Sequence, residues 1–187
     1  HYMLKEIYDQ PETAKNWLKN YLIKNLENDQ YQINYSFDTK FFESIDRIEI
    51  IACGTSKHAA MVGKFLLEQF SGIPTNVFYA SEFRYSPPPL LPNTLTIGVT
   101  QSGETADTIA AIDMEIKRRS SKEDKKFAPN LIAITNRKES SIGRQVSNII
   151  DICAGIEVGV AATKTFFGQL LSFYGLAIKF AEIKGSQ

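Results

Sequence analysis

The sequence predicts an α/β fold with three layers, a doubly wound and mostly parallel sheet of about five strands between two layers of helices. Short runs rich in β-branched residues alternate with segments in which apolar residues have helical spacing. Runs that are apolar at nearly every position are typical of parallel strands buried on both faces. Because parallel neighbours need crossover connections, we expect right-handed βαβ units with helices on both faces of the sheet.

The predicted strands and helices alternate along the second part of the chain. The strands are expected at 48–52 (IEIIA), 75–80 (TNVFYA), 94–99 (TLTIGV), 131–135 (LIAIT) and 148–152 (NIIDI). Two of the intervening helices have predicted apolar faces, at Val62, Phe65 and Leu66 and at Ile109, Ile112 and Ile116. The last helix shows the most regular spacing, in steps of four and three residues, at Phe166, Leu170, Phe173, Ala177 and Phe180.

The beginning of the chain has a different pattern. We expect an N-terminal helical segment over residues 1–45 that packs on the domain formed by residues 46–187. Pro11 is expected to break or restart the first helix, with Gln10 outside the helical region. The polar stretch 25–36 is expected to be a loop.

Two segments interrupt the α/β pattern. Prolines exclude a helix or a central strand at 86–92 (SPPPLLP). The charge run at 117–129 is either a basic docking patch or a solvated helix end followed by a surface insertion. Since acidic residues are mixed into it, we favour the second interpretation.

Composition limits the classes of function. The 187 residues are 43% hydrophobic, and 21 basic residues balance 21 acidic ones. This balance gives no general attraction to nucleic acid or to a membrane surface. The two cysteines, Cys53 and Cys153, make no disulfide framework, and no signal peptide or membrane span is predicted, so we expect a cytoplasmic protein. Because the chain begins with His1, we expect a piece of a longer protein.

Polar residues suited to an anion follow two of the predicted strands. The turns 53–56 (CGTS) and 100–105 (TQSGET) each combine glycine with hydroxyl side chains just before a helix. Ligands of parallel α/β sheets bind at the carboxyl ends of the strands. Free amides and the helix dipole favour an anion there, and hydroxyls add donors without adding charge.

The identity of the anion follows from two motif tests. The CGTS turn lacks the second glycine of a dinucleotide-binding motif. Residues 98–105 match a P-loop except that Glu104, which we place on the first turn of the helix, replaces the phosphate-binding lysine. A single phosphomonoester therefore fits better than a nucleoside triphosphate. Its predicted ligands are Ser56, Ser102 and Thr105, with Thr55 and Gln101 nearby; alternatively, Ser102 is only a helix N-cap.

Other chemistry-bearing residues give weaker signals. His58 is expected to pack locally, Cys53 to be buried, and Lys164 to lie on the surface. Glu157 has the chemistry of a general base, but nothing in the sequence places it near a substrate. With two histidines and no spaced acidic pair, no metal site and no cofactor are predicted.

Several of these motifs resemble those of a known enzyme family. CGTS and QSGET alone resemble the broad sugar isomerase (SIS) family, whose fold is flavodoxin/Rossmann-like. The opening HYMLKEIYDQP, SEFRY (81–85), QSGETADT (101–108) and GVAATKTF (159–166) resemble the isomerase half of glucosamine-6-phosphate synthases. The resemblance runs in the same order over nearly the whole chain and corresponds to the first of two SIS lobes.

The resemblance implies a site for the phosphate of fructose 6-phosphate or glucosamine 6-phosphate. It assigns phosphate contacts to Ser56, Gln101, Ser102, Thr105, Thr55 and Thr100, and proximity to the sugar to Cys53, Gly54, Val160 and Ala162. Many relatives have serine at positions 100 and 162. Thr100 keeps the hydroxyl, whereas Ala162 removes one.

The resemblance also implies partners and an activity. The longer enzyme converts fructose 6-phosphate and glutamine to glucosamine 6-phosphate and glutamate, for UDP-GlcNAc biosynthesis, as a homodimer with a glutaminase domain. Since the second SIS lobe carries the base, the Schiff-base lysine and a histidine, we expect this chain to bind without turnover. Two alternatives are a non-catalytic SIS sensor of a sugar phosphate and a structural domain whose hydroxyls only cap helices.

Overall fold

The chain forms a five-stranded sheet with helices on both faces, preceded by a short helical segment and a hairpin. The computed structural model describes residues 1–25 and 29–185. The strands are β1 (Leu22–Lys24), β2 (Tyr31–Ile33), β3 (Arg47–Ala52), β4 (Thr75–Tyr79), β5 (Thr94–Thr100), β6 (Asn130–Thr135) and β7 (Asn148–Asp151). The helices are α1 (Tyr2–Tyr8), α2 (Gln10–Tyr21), α3 (Thr39–Glu43), α4 (Gly54–Ser71), α5 (Ala80–Phe83), α6 (Ala106–Ser120), α7 (Ser141–Gln145) and α8 (Lys164–Lys184).

The main sheet confirms the predicted fold. Its order is β4-β3-β5-β6-β7, and every neighbouring pair is parallel. The strands begin and end within one residue of the predicted bounds, as the continuous apolar runs require. Ala52 of β3 lies opposite Val99 of β5, and Thr100 opposite Thr135 of β6, so the carboxyl ends of these strands share one edge.

Two hydrophobic clusters lie on the two faces of the sheet. One joins the sheet to α2, α4 and α8, and it includes the predicted α8 residues Phe173, Ala177 and Phe180, each fully buried. The other joins the sheet to α5, α6 and α7 and includes Ile112. In the part of the chain that the structure describes, no helix has the length and apolar character needed to cross a bilayer.

The predicted apolar face of α4 is wrong in part. Val62 and Phe65 are 38% and 69% exposed. The buried stripe is instead Ala59, Ala60, Gly63, Leu66 and Leu67. The reason is the close approach of α8, since a Cβ at Gly63 would overlap the Phe173 ring.

The N-terminal segment departs from the prediction in two places. The helix does restart near Pro11, but Gln10 already belongs to α2, because Asp9 precedes the helix and its carbonyl accepts the Thr13 N–H at 3.0 Å. Proline is tolerated there, since first-turn amides have no intrahelical partner.

The predicted loop 25–36 contains a strand, β2, which pairs antiparallel with β1. A three-residue strand is too short to show an alternation of apolar and polar residues in the sequence. The position of β2 is stabilised by the burial of Ile33 and, just after it, Tyr35. Residues 26–28 of that stretch lie outside the described residues.

The charge run at 117–129 is only partly solvated. Arg119 is 1% exposed, and its Nε donates to Glu115 at 2.7 Å. It also lies 3.9 Å from Glu49, whose pKa is raised by burial and by the neighbouring Glu115 carboxylate. The expectation of a wholly solvated run is therefore wrong for Arg119, because partners from β3 and α6 neutralise it. As predicted, 86–92 contains neither helix nor strand.

Candidate functional site

Two turns meet at the carboxyl edge of the sheet. We name them the CGTS turn (53–56), which follows β3 and enters α4, and the QSGET turn (101–105), which follows β5 and precedes α6. Because β3 and β5 are parallel neighbours, the two turns leave the sheet side by side. The structure thus groups the predicted phosphate residues at one edge, next to the first turns of two helices of 18 and 15 residues.

Each turn depends on one glycine. Gly54 and Gly103 have φ angles of +54° and +69°, in the left-handed region that glycine adopts most easily. A Cβ at Gly103 would in addition overlap the Ser140 side chain. These two positions bend the backbone sharply from strand into helix and leave the following hydroxyls at the edge.

The hydroxyls of Ser56 and Ser102 are oriented by bonds that their oxygens accept. Gln169 of α8 is 1% exposed, and its Nε2 donates to Ser56 Oγ at 2.9 Å. The backbone N–H of Glu104 donates to Ser102 Oγ at 3.1 Å. A hydroxyl oxygen that accepts a hydrogen bond keeps its own proton, so each of these two serines can also act as a donor.

Ser102 is not a helix N-cap, so that alternative is wrong. The N-cap of α6 is Thr105, and its side chain makes no capping hydrogen bond. The Thr105 hydroxyl instead lies 2.8 Å from that of Thr100. Thr100 is 2% exposed and therefore lies behind Thr105, whereas Gln101 and Ser102 are half-buried and Thr55 is exposed.

Glu104 has a different position from the one predicted. It precedes α6, and its carboxylate accepts the N–H of Ser141 at 2.8 Å and the Ser141 hydroxyl at 2.6 Å. These hydrogen bonds hold the pKa of Glu104 below its usual value. The carboxylate therefore links the QSGET turn to the start of α7. The sequence had instead placed Glu104 on the first turn of α6, where the helix dipole would stabilise the carboxylate.

A long loop borders the same edge. The 155–163 loop links the segment after β7 to α8 and contains Val160, which is fully exposed, and Ala162, which is half-buried. Its Glu157 carboxylate accepts the N–H of Thr163 at 2.9 Å and that of Thr165 at 3.3 Å, at the start of α8. The side chain considered as a base thus holds the loop against the helix.

Asn136, which sequence reasoning missed, joins three segments at this edge. Its N–H donates to the Gln101 carbonyl at 3.2 Å, its Nδ2 to the Gly155 carbonyl at 2.5 Å, and its Oδ1 accepts from Ala154 at 3.1 Å. A cavity of about 180 Å³ is lined by Gln101, by Asn136 and Arg137, and by residues 155–157 of the loop. The signal in the sequence was a polar turn directly after the fourth apolar run of the sheet.

The sequence of residues 41–179, most of the chain, matches the family model described as "SIS domain". The chain belongs to the SIS domain family. Its five-stranded parallel sheet with helices on both faces is therefore the fold of a SIS domain.

Two similar proteins from different organisms have the same name. The SIS domain is 56% identical over 181 residues to a glutamine–fructose-6-phosphate aminotransferase (isomerizing) of Thermosynechococcus vestitus, covering 96% of this chain. It is 52% identical over 97% of its length to the enzyme of that name from Synechocystis sp.. The chain spans 29% of the length of both relatives.

A solved structure supports the same relationship. The C-terminal domain of a glucosamine-fructose-6-phosphate aminotransferase from Francisella tularensis is 34% identical, with a TM-score of 0.88. The match covers all of this chain and 50% of that domain.

The structure also places three other candidate residues of the SIS domain, Lys164, His58 and Cys53. Lys164 is 7% exposed and pairs with Asp9 at 3.2 Å, so the expectation of a surface lysine is wrong. His58 is exposed on α4, and Cys53 is half-buried against the second cluster. In residues 1–25 and 29–185, no group of three or more histidine, cysteine or acidic residues is placed to hold a metal ion.

Proposed function

We propose that this SIS domain binds the phosphate group of fructose 6-phosphate or glucosamine 6-phosphate. One observation supports the proposal: in two turns that follow adjacent strands, serine oxygens accept hydrogen bonds from the protein, so each hydroxyl keeps its proton as a donor for a ligand. Such a surface of donors is complementary to an acceptor-only anion.

The charge of the ligand matches these donors. A phosphomonoester carries about two negative charges at neutral pH. The positive ends of the α4 and α6 dipoles and the free amides of their first turns favour such a group without a lysine or arginine. The proposed contacts are Ser56, Ser102, Thr105, Gln101 and Thr55, while Thr100, which is buried behind Thr105, supports that hydroxyl.

The sugar is proposed to extend from the phosphate toward the 155–163 loop. Cys53 and Gly54 border it from the CGTS turn, and Val160 and Ala162 from the loop. A methyl group at Ala162 cannot donate or accept a hydrogen bond, so backbone groups of the loop would make the polar contacts with the sugar there.

The activity of the longer protein is proposed from its relatives. Their names describe a glutamine–fructose-6-phosphate aminotransferase, which transfers the amide nitrogen of glutamine to fructose 6-phosphate in amino-sugar biosynthesis. We infer that this chain is the first of two SIS lobes in a cytoplasmic homodimer with a glutaminase domain. Alone, it binds the sugar phosphate without turnover, because the second lobe supplies the base, the lysine and the histidine.

Calorimetric titration of the 187-residue chain tests the proposal. We expect binding of fructose 6-phosphate, weaker binding of inorganic phosphate and none of fructose. Ser102→Ala removes one hydrogen bond to a charged group, worth roughly 1.5 kcal/mol, and should weaken binding about tenfold. Ser120→Ala, an exposed serine at the opposite end of α6, is the matched control. Binding of fructose as tight as that of its phosphate would contradict the proposal.

A further inference from the structure

We propose that Glu6 is a positioning residue for the sugar part of the ligand, acting through the 155–163 loop. The inference rests on the proposed function, which places Val160 and Ala162 beside the sugar. It assigns a role to the first helix, α1, which contributes no residue to the proposed phosphate site.

The way α1 docks is unusual. A surface helix normally packs through an apolar stripe. In α1 the buried residue is instead Glu6, which is 3% exposed, while Met3 and Ile7 are each 40% exposed. An ionised carboxylate is costly to bury unless it accepts strong hydrogen bonds, so its partners explain its place.

Those partners are backbone amides of the 155–163 loop. Glu6 Oε1 accepts the N–H of Val158 at 2.5 Å, and both carboxylate oxygens accept the N–H of Gly159 at 3.1 Å. Bonds to an ionised acceptor are about twice as strong as neutral ones. The carboxylate thus holds the middle of the loop one residue before Val160.

Apolar packing cannot replace this anchor. Ile156, Val158 and Val160 are 77%, 58% and 107% exposed, so the loop does not bury its own large side chains. At Gly159, a Cβ would overlap the Glu6 carboxylate, which shows how closely the Glu6 side chain approaches the loop backbone. The position of this part of the loop therefore depends on hydrogen bonds.

The same N-terminal segment holds the end of the loop. Asp9, between α1 and α2, pairs at 3.2 Å with the buried Lys164, the residue that follows the loop. With Glu6 at the middle and Asp9 at the end, two acidic side chains from one short segment set the loop against the edge of the sheet.

This arrangement predicts a selective effect on binding. The phosphate contacts lie in the CGTS and QSGET turns, which α1 does not hold. The loss of Glu6 should therefore weaken binding of the sugar phosphate and spare that of phosphate alone. A purely structural role would weaken both equally.

The test compares two ligands and three variants of the 187-residue chain by nuclear magnetic resonance titration. Glu6→Ala should weaken fructose 6-phosphate binding about tenfold and inorganic phosphate binding less than about twofold. Glu6→Gln should fall between wild type and Glu6→Ala. Its remaining oxygen can accept from Val158 and Gly159 as Oε1 does, but an NH₂ in place of Oε2 cannot accept the second bond from Gly159. Glu12→Gln, an exposed acid on α2, is the matched control.

Amide hydrogen exchange supplies a second readout on the same samples. In Glu6→Ala, the Val158 and Gly159 amides should exchange at least about tenfold faster than in Glu12→Gln. If Glu6→Ala does not fold, Glu6→Gln carries both measurements.

Three outcomes would overturn the inference, and they can be told apart. Equal weakening of both ligands would show a structural role only. Unchanged binding of fructose 6-phosphate by Glu6→Ala would show that the loop needs no anchor, with the proposed function intact. Equal affinity of the wild-type chain for phosphate and fructose 6-phosphate would refute the sugar part of the proposed function, and the positioning role with it.

Discussion

The CGTS and QSGET turns and the 155–163 loop lie at the same edge of the sheet but are held there by different means. The turns follow adjacent parallel strands, so strand register and one glycine each set their positions. The position of the 155–163 loop is not set by strand register in this way. Its middle is held by Glu6, which lies 152 residues before Val158 in the chain.

The difference indicates a division of labour within the proposed site. A phosphate group is common to many ligands, and a rigid, locally determined cradle suits it. The part that would distinguish one sugar from another rests on a loop whose position depends on a separate helix. Changes in α1 can therefore alter the sugar side of the site while the phosphate side keeps its geometry.

The largest effect is expected in the QSGET turn, from Gly103→Ala. Its left-handed backbone and the overlap with Ser140 should together lower the free energy of unfolding by about 3 kcal/mol. Gly72→Ala is the matched control, since Gly72 also has a positive φ, of +68°, but a Cβ added there would meet no atom within 4 Å. It should cost about 1 kcal/mol. Denaturant unfolding measures both, and equal losses would show that the Ser140 side chain moves aside.

A smaller effect is expected at the end of the 155–163 loop, from Asp9→Ala. This change leaves Lys164 buried without its partner, and since Asp9 is about one-third exposed, we expect a loss of about 2 kcal/mol in unfolding free energy. Asp113→Ala breaks an exposed pair with Lys117 and should cost less than about 0.5 kcal/mol. Similar losses in the two variants, measured by urea unfolding, would mean that the N-terminal segment does not anchor α8.

The smallest effect concerns pH. The pKa of Glu104 is lowered in the folded chain by the bonds from Ser141, so its contribution is complete above the usual glutamate pKa of 4.5 and is lost as pH falls through the lower folded value. The difference in melting temperature between wild type and Glu104→Gln should therefore be constant near neutral pH and shrink below about pH 4.5. Glu139→Gln controls for the loss of one negative charge, and a difference that grows on acidification would contradict the assignment.

The fold and the phosphate turns could be predicted because their signals are local. The five apolar runs give the strands, and since parallel strands end at one edge, the hydroxyls after the first and third runs were expected at that edge. That these two strands are direct neighbours is known only from the structure. The glycine and the hydroxyls of each turn lie within a few consecutive residues, at 53–56 and 100–105. The structure adds which atom of each serine is already hydrogen-bonded.

The remaining features depend on contacts between segments that are distant in sequence. From its position in the sequence, Lys164 is expected on the surface, but in the fold it is paired with Asp9. Glu6 has the character of a solvent-facing residue of a helix, but in the fold the 155–163 loop covers it. Val62 and Phe65 look like the buried face of α4 because they are large, whereas the close approach of α8 selects smaller residues. Sequence periodicity carries no information on these partners.

The most direct test of the two-part site is to map backbone amide shifts of the 187-residue chain on adding inorganic phosphate and then fructose 6-phosphate. Phosphate should shift the amides of residues 54–56 and 101–105. Fructose 6-phosphate should shift the same amides and, in addition, those of residues 158–163. Shifts from either ligand that cluster away from both turns, or a loop that responds equally to phosphate alone, would contradict the account.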